Sequence, residues 1–183
     1  MTRPGCVTRL LRFREKCGKP QIMPYEFDIE TDPDPPFTDN LGVQIVEFAL
    51  GYDLDRDIVV VMSVMLVPID EAHDLRFGIR EKSLVSDWKV SAPDYTKEAV
   101  DRYVPKVWRA FVANQIARAV RKLVNQVQPE NLTMESYYAG LATKALKKYE
   151  TISGSVHSCG YETTEQFRHE TSQKDYWLFR KTV

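Results

Sequence analysis

The ten residues from Ile58 to Val67 are apolar except for Ser63. That run is about half of the roughly 20 residues a helix needs to cross a bilayer, so it reads as a buried strand. Both of its faces are apolar, which places it in the interior of a sheet. Val43 to Tyr52 precedes it across Asp53, Leu54, Asp55, Arg56 and Asp57, and the two segments form an antiparallel hairpin. A chain with this hairpin at its centre must build a sheet around it.

The flanking segments give the sheet further strands. Tyr25 to Thr31 alternates strictly, with Tyr25, Phe27 and Ile29 on one face and Glu26, Asp28 and Glu30 on the other, the period-2 mark of a half-buried strand. Before it, residues 1–24 read as an N-terminal arm with a short edge strand from Cys6 to Phe13 and a loop rich in Gly and Pro. After it, Asp32 to Asn40 holds three prolines and three aspartates and reads as a loop. Pro68 to Pro93 mixes charged residues with Leu75, Phe77, Ile79, Leu84, Val85 and Trp88 without a sustained period, and is expected to be irregular, with room for a short helix or strand.

From Tyr95 the period changes to three and four. Thr96 can cap a helix, and Val100, Tyr103, Val104, Val107, Trp108, Phe111, Val112, Ile116, Ala119, Val120, Leu123, Val124 and Val127 form its inner face. Pro105 divides it into a short and a long helix, and Arg109, Arg118, Arg121 and Lys122 form a solvated basic face. Pro129 stops the helix. Leu132 to Tyr138 reads better as a strand than as helix, Gly140 opens a second helix over Leu141 to Val156, and Ala145, Leu146, Tyr149, Ile152 and Val156 point inward. Gly160-Tyr161 begins a strand to about Phe167, Arg168 to Lys174 makes a hairpin tip, and Tyr176 to Lys181 closes the chain. Strands, then helices returning to a mostly antiparallel sheet packed by two main helices, define an α+β class, with residues 25–183 as one domain.

Lys plus Arg number 25 against 26 Asp plus Glu in 183 residues, so net charge does not indicate a nucleic-acid or membrane partner. Cys6, Cys17 and Cys159 are an odd set without a CxxC pair, which points to a reducing cytoplasm. The arginine-bearing N-terminus lacks the apolar core of a signal peptide.

The order of a long helix, a strand after a proline, a helix carrying Ala145-Leu-Lys-Lys-Tyr149, then Gly160-Tyr161 and a closing strand resembles the GNAT-type N-acetyltransferase superfamily over residues 97–183. The resemblance implies an acetyltransferase-like fold, acetyl-CoA as cofactor, Tyr149 as general acid toward the departing thiolate, and backbone amides near Tyr95 to Val100 on the pyrophosphate. Two departures stand beside it. No glycine lies between Gly78 and Gly140, where the family has a glycine-containing phosphate loop, and Glu150 to Cys159 separates the tyrosine from Gly160. They point to a degenerate version of the fold without acyl-CoA binding.

Phe27-Asp28-Ile29-Glu30-Thr31 resembles the first metal-binding motif of DEDD-type exonucleases, in which two carboxylates on one strand face hold divalent metals, but the later carboxylates are missing and His169 with Asp175 has a different spacing. Asp53, Asp55 and Asp57 alternate like an EF-hand opening, yet lack its glycine and closing glutamate, so a turn explains them. His157 near Cys159 lacks two further ligands, and His73 and His169 are scattered. Tyr137, Tyr138, Trp177 and Phe179 read as packing aromatics. By elimination the expected function is a noncatalytic binding or assembly protein without a cofactor, with a protein partner or self-association. The alternatives are an acyl-CoA-dependent N-acyltransferase using Tyr149, and a metal-dependent nuclease using Asp28 and Glu30.

Overall fold

Two adjoining apolar segments can hide their backbone polar groups only by pairing, and in the computed structural model, which describes residues 25–29, 32–85, 97–137, 146–171 and 174–182, they do. Strand β3 (Gln44–Asp53) runs antiparallel to β4 (Ile58–Ile69), in register from Gln44 opposite Leu66 to Asp53 opposite Ile58. The expected hairpin is therefore present, and β4 is interior. The N-terminal arm, the strand from Cys6 to Phe13, Thr96 as cap, Gly140 and Ala145 lie outside the described residues.

Pro68 to Pro93 departs from expectation. Ala72–Ser83 within it is a 12-residue strand, β5, paired with β4 from Ile69 opposite Ala72 to Ile58 opposite Ser83. Asp70, at φ 49°, and Glu71 form the two-residue turn. Leu75, Phe77 and Ile79 share one face in alternation with Asp74, Arg76, Gly78 and Arg80. The charged residues hid this period because Asp74 and Arg80 are themselves buried, against the usual placement of charge.

The alternation of Tyr25 to Ile29 holds in burial, with Tyr25 buried, Phe27 and Ile29 half-buried, and Glu26 and Asp28 exposed. Only Glu26–Phe27 forms a ladder, β1, because its partner β3 shifts register between Ala49 and Gly51. The loop at residues 32–40 contains one short strand, β2 (Phe37–Thr38), also on β3.

The helical period is divided as Pro105 requires: α1 (Lys97–Tyr103), a single 3-10 turn (Lys106–Trp108), then α2 (Arg109–Val127). Gln128 ends α2 in the left-handed region, its N–H bonded to the Val124 carbonyl, with Pro129 next. Val107 and Trp108, expected inward, are exposed because the 3-10 turn breaks the helical phase. Strand β6 (Asn131–Tyr137), helix α3 (Leu146–His157), and strands β7 (Tyr161–His169) and β8 (Lys174–Lys181) follow, so the last hairpin is tighter than the sequence suggested.

The sheet order is β1-β3-β4-β5-β6-β8-β7, with β2 on β3. All pairings are antiparallel except β5 with β6, which the α1–α2 crossover joins. Helices α2 and α3 bury Val112, Ile116, Val120, Leu123, Tyr149, Ile152 and Val156 against a sheet face holding Phe48, Met62, Leu75, Ile79, Met134 and Phe179. The protein is thus an α+β fold with a mostly antiparallel sheet and two main helices.

Within α3, Gly154 is exposed, and a Cβ added there meets nothing within 4 Å. Replacing it by alanine removes unfolded-state freedom and costs no contact. Gly154→Ala is expected to raise stability by about 0.5–1 kcal/mol; an unchanged or lower urea midpoint would contradict the helical assignment of that residue.

Candidate functional site

Parallel strands joined by a helix open a crevice where their carboxyl ends separate. Here β5 and β6 pair only from His73 opposite Leu132 to Leu75 opposite Met134, while β5 continues to Ser83 and β6 to Tyr137. Just past the last pair stands Tyr149 of α3. Its ring packs on Phe77 of β5 at 5.8 Å and stacks on Trp177 of β8 at 5.5 Å, with an interplanar angle of 11°. One tyrosine therefore spans both sides of the place where the ladder ends.

The Tyr149 phenol is buried and hydrogen-bonded to Ser136 of β6, which shares its face with Met134. Burial is the main cause that pushes its pKa up; the Ser136 hydrogen bond opposes this, the Glu135 charge adds to it, and the result is about 12. At neutral pH the group is a proton and hydrogen-bond donor, not a base. Ser136 lies opposite Asp175 of β8, whose carboxylate accepts two hydrogen bonds from Arg168, at 2.8 and 3.2 Å. Asp175 is thus committed to an ion pair.

Farther along β5, Glu81 accepts hydrogen bonds from Tyr103 at 2.5 Å and from both terminal nitrogens of Arg56, at 3.1 and 3.0 Å. Burial acts to raise the Glu81 carboxyl, but these hydrogen bonds and the Arg56 charge prevail and hold it low. On the opposite sheet face, Glu47 accepts from Arg80, from Ser63 at 2.7 Å and from Lys82 at 2.7 Å. The alternation of Leu75, Phe77 and Ile79 was the signal that could have placed Phe77, Arg80 and Glu81 on one strand; Ser136 was marked by the period of Leu132 to Tyr138, which as a strand puts it on one face with Leu132 and Met134.

The basic face of α2 is solvent-exposed, as expected, and its charges are paired. Arg109 pairs with Asp101 at 2.5 Å, Arg118 and Lys122 share Asp32 at 2.9 and 3.3 Å, and Arg121 donates to Ser155 at 3.1 Å. Among the described residues, no group of three or more His, Cys, Asp or Glu could hold a metal ion. Asp28 is exposed beyond the end of β1, and Glu30 lies outside the described residues. Asp53 bonds the Arg56 N–H at 3.2 Å and Asp57 has a φ of 52°, so these aspartates shape a turn. His157 bonds Thr163 at 2.8 Å, and the Cys159 thiol donates to the Ser155 carbonyl. Burial pushes the Cys159 thiol up, the reverse of an activated thiol. Trp177 and Phe179 are buried, as expected of packing aromatics. No helix among the described residues is long and apolar enough to cross a membrane.

No family model matches the chain, and no curated protein matches it. Solved structures similar to it include a chimera of the spermidine N-acetyltransferase SpeG from Vibrio cholerae and hSSAT, at 14% identity and a TM-score of 0.37, covering 78% of this chain and 68% of that one. A SpeG mutant from the same organism gives 15% identity, a TM-score of 0.38 and coverage of 77% and 64%. The dodecameric spermidine N-acetyltransferase from Vibrio cholerae in an intermediate state gives 14%, 0.34, and coverage of 77% and 64%. The chain spans about two thirds of the length of these structures.

Proposed function

We propose that the chain is an acyl-CoA-dependent N-acyltransferase working where β5 and β6 part. The observation that carries this reading is the position of Tyr149, a protonated phenol held between Phe77 and Trp177 immediately beyond the last β5–β6 pair. An extended chain bearing amides fits between two diverging strand edges, as peptides fit sheet edges. The residues present fit the thioester end of acetyl-CoA, which when bound would supply an activated acyl group. Tyr149 Oη holds the proton that the sulfur requires as the C–S bond breaks, and Ser136 fixes the direction of that hydroxyl. Phe77 and Trp177 keep water from the phenol.

A second reading, a noncatalytic binding or assembly protein, is favoured by the burial of Tyr149 and by the lack of glycine between Gly78 and Gly140. Thermal denaturation with acetyl-CoA separates the two. At about 100 times its dissociation constant the ligand adds roughly 2.7 kcal/mol, and no shift would favour the noncatalytic protein. For the enzyme, Tyr149→Phe keeps the aromatic stack and is expected to retain the thermal shift while lowering turnover about 100-fold or more. Unchanged turnover in that variant would remove Tyr149 as the acid.

A further inference from the structure

Arg80 of β5 lies on the sheet face away from the helices, with its side chain 2% exposed. A guanidinium carries five N–H donors. Among the described residues Nη2 donates to the Glu47 carboxylate, while Nε is buried without a partner. The register explains why the neighbouring strands offer Nε no acceptor. Arg80 stands beside Val61 of β4, and Val61 beside Ala49 of β3, so its own cross-strand row is apolar. The adjoining row on that face is Glu47, Ser63 and Gly78. There Ser63 donates to Glu47, and Gly78 carries no side chain.

The charges do not balance either. Arg80 and Lys82 both donate to the one Glu47 carboxylate, and the Lys82 side chain is 33% exposed. Two cations therefore share one acid. The next acid along this face of β5 is Asp74, roughly 20 Å from Arg80 at the rise of a strand, and it accepts from Arg76 and Thr133. A water molecule can accept from Nε, but it leaves the excess positive charge in place. An anion supplies both the acceptor and the charge.

We propose that the Glu47–Arg80–Lys82 cluster holds a small monovalent anion of the halide class, seated against Arg80 Nε. A single-atom ion suits a guanidinium so little exposed, and it accepts N–H donors without a fixed geometry. The partly exposed Lys82 gives it a way in. This holds whether or not the chain is an acyltransferase.

Thermal melts at constant ionic strength test it, with sodium chloride exchanged for sodium gluconate, whose anion is too bulky for the place. The wild type is expected to gain about 2–4 °C in Tm in chloride, with the saturation of a single site. Lys82→Gln removes the excess cation and leaves Glu47 and Arg80 as a neutral pair, so its Tm should be the same in both salts. A crystal grown in bromide should show an anomalous peak against Arg80 Nε, which decides the matter if Lys82→Gln does not fold. Equal wild-type melts in the two salts, a Lys82→Gln protein that keeps the chloride shift, or a bromide crystal with no halide beside Nε would overturn the proposal.

Discussion

Glu47→Ala is expected to lower the free energy of unfolding by about 3–5 kcal/mol, because it leaves buried positive charge without its counter-charge. Glu47 and Arg80 are each about 2% exposed, on the sheet face away from the helices. The Glu47 carboxylate accepts from Arg80, Lys82 and Ser63, and Arg80 Nε has no hydrogen-bond partner among the described residues. Removing the acid strands the guanidinium, whereas replacing the pair together by Glu47→Leu and Arg80→Met leaves apolar side chains in the same space. The double variant should recover most of the loss. Urea unfolding of the two singles and the double measures the coupling, and a Glu47→Ala cost under about 1 kcal/mol would show that the ion pair is not needed. The acid limb gives a second readout. Burial raises the carboxyl, but the Lys82 and Ser63 hydrogen bonds and the neighbouring charges outweigh it, so the pKa lies below its ordinary value. The stabilisation is therefore present above the unfolded pKa of about 4.3 and lost as pH falls below it.

The same cluster explains what the sequence concealed. Ile58 to Val67 announces a central strand because both faces are apolar, and the division of α1 from α2 follows from the single Pro105. Strand β5 has the period-2 pattern in Leu75, Phe77 and Ile79, but its other face holds Asp74 and Arg80. A reader who assigns charge to solvent finds no buried strand there. Only partners on other strands and distant in sequence, Glu47 for Arg80 and Thr133 for Asp74, make that burial tolerable.

The candidate site was legible in part. Tyr149 was marked by the Ala145-to-Tyr149 spacing and by the helical period that placed it inward. The role proposed for it depends on Ser136, Phe77 and Trp177, which come from three strands and carry no shared motif. The end of the β5–β6 ladder at Leu75 and Met134 is a property of strand divergence, to which a local pattern is blind. Asp28 and Glu30 illustrate the converse: a motif with the correct local spacing gains meaning only when other ligands converge on it, and among the described residues none do.

Gly51→Ala should have the opposite sign to Gly154→Ala and a larger magnitude, a loss of about 3 kcal/mol or more. At Gly51, φ is 156°, and an added Cβ would run into the Glu26 carbonyl oxygen and lie 2.7 and 2.8 Å from the Tyr25 ring. The backbone oxygen cannot step aside without breaking the β1–β3 ladder, which consists of Glu26 opposite Tyr52 and Phe27 opposite Gly51. Tyr25 is also held by its hydroxyl, which donates to the Leu50 carbonyl at 2.8 Å, and by an edge-on contact with Tyr103 at 5.4 Å. Tyr103 in turn donates to Glu81. Displacing Tyr25 therefore loosens β1, α1 and the end of β5 together, while Tyr25→Phe removes only the hydroxyl and should cost about 1 kcal/mol. Urea unfolding should rank Gly51→Ala far below Tyr25→Phe. If the two lie together, β1 can shift to accept the methyl group, and the close backbone approach at Gly51 is not what ties this edge to the sheet.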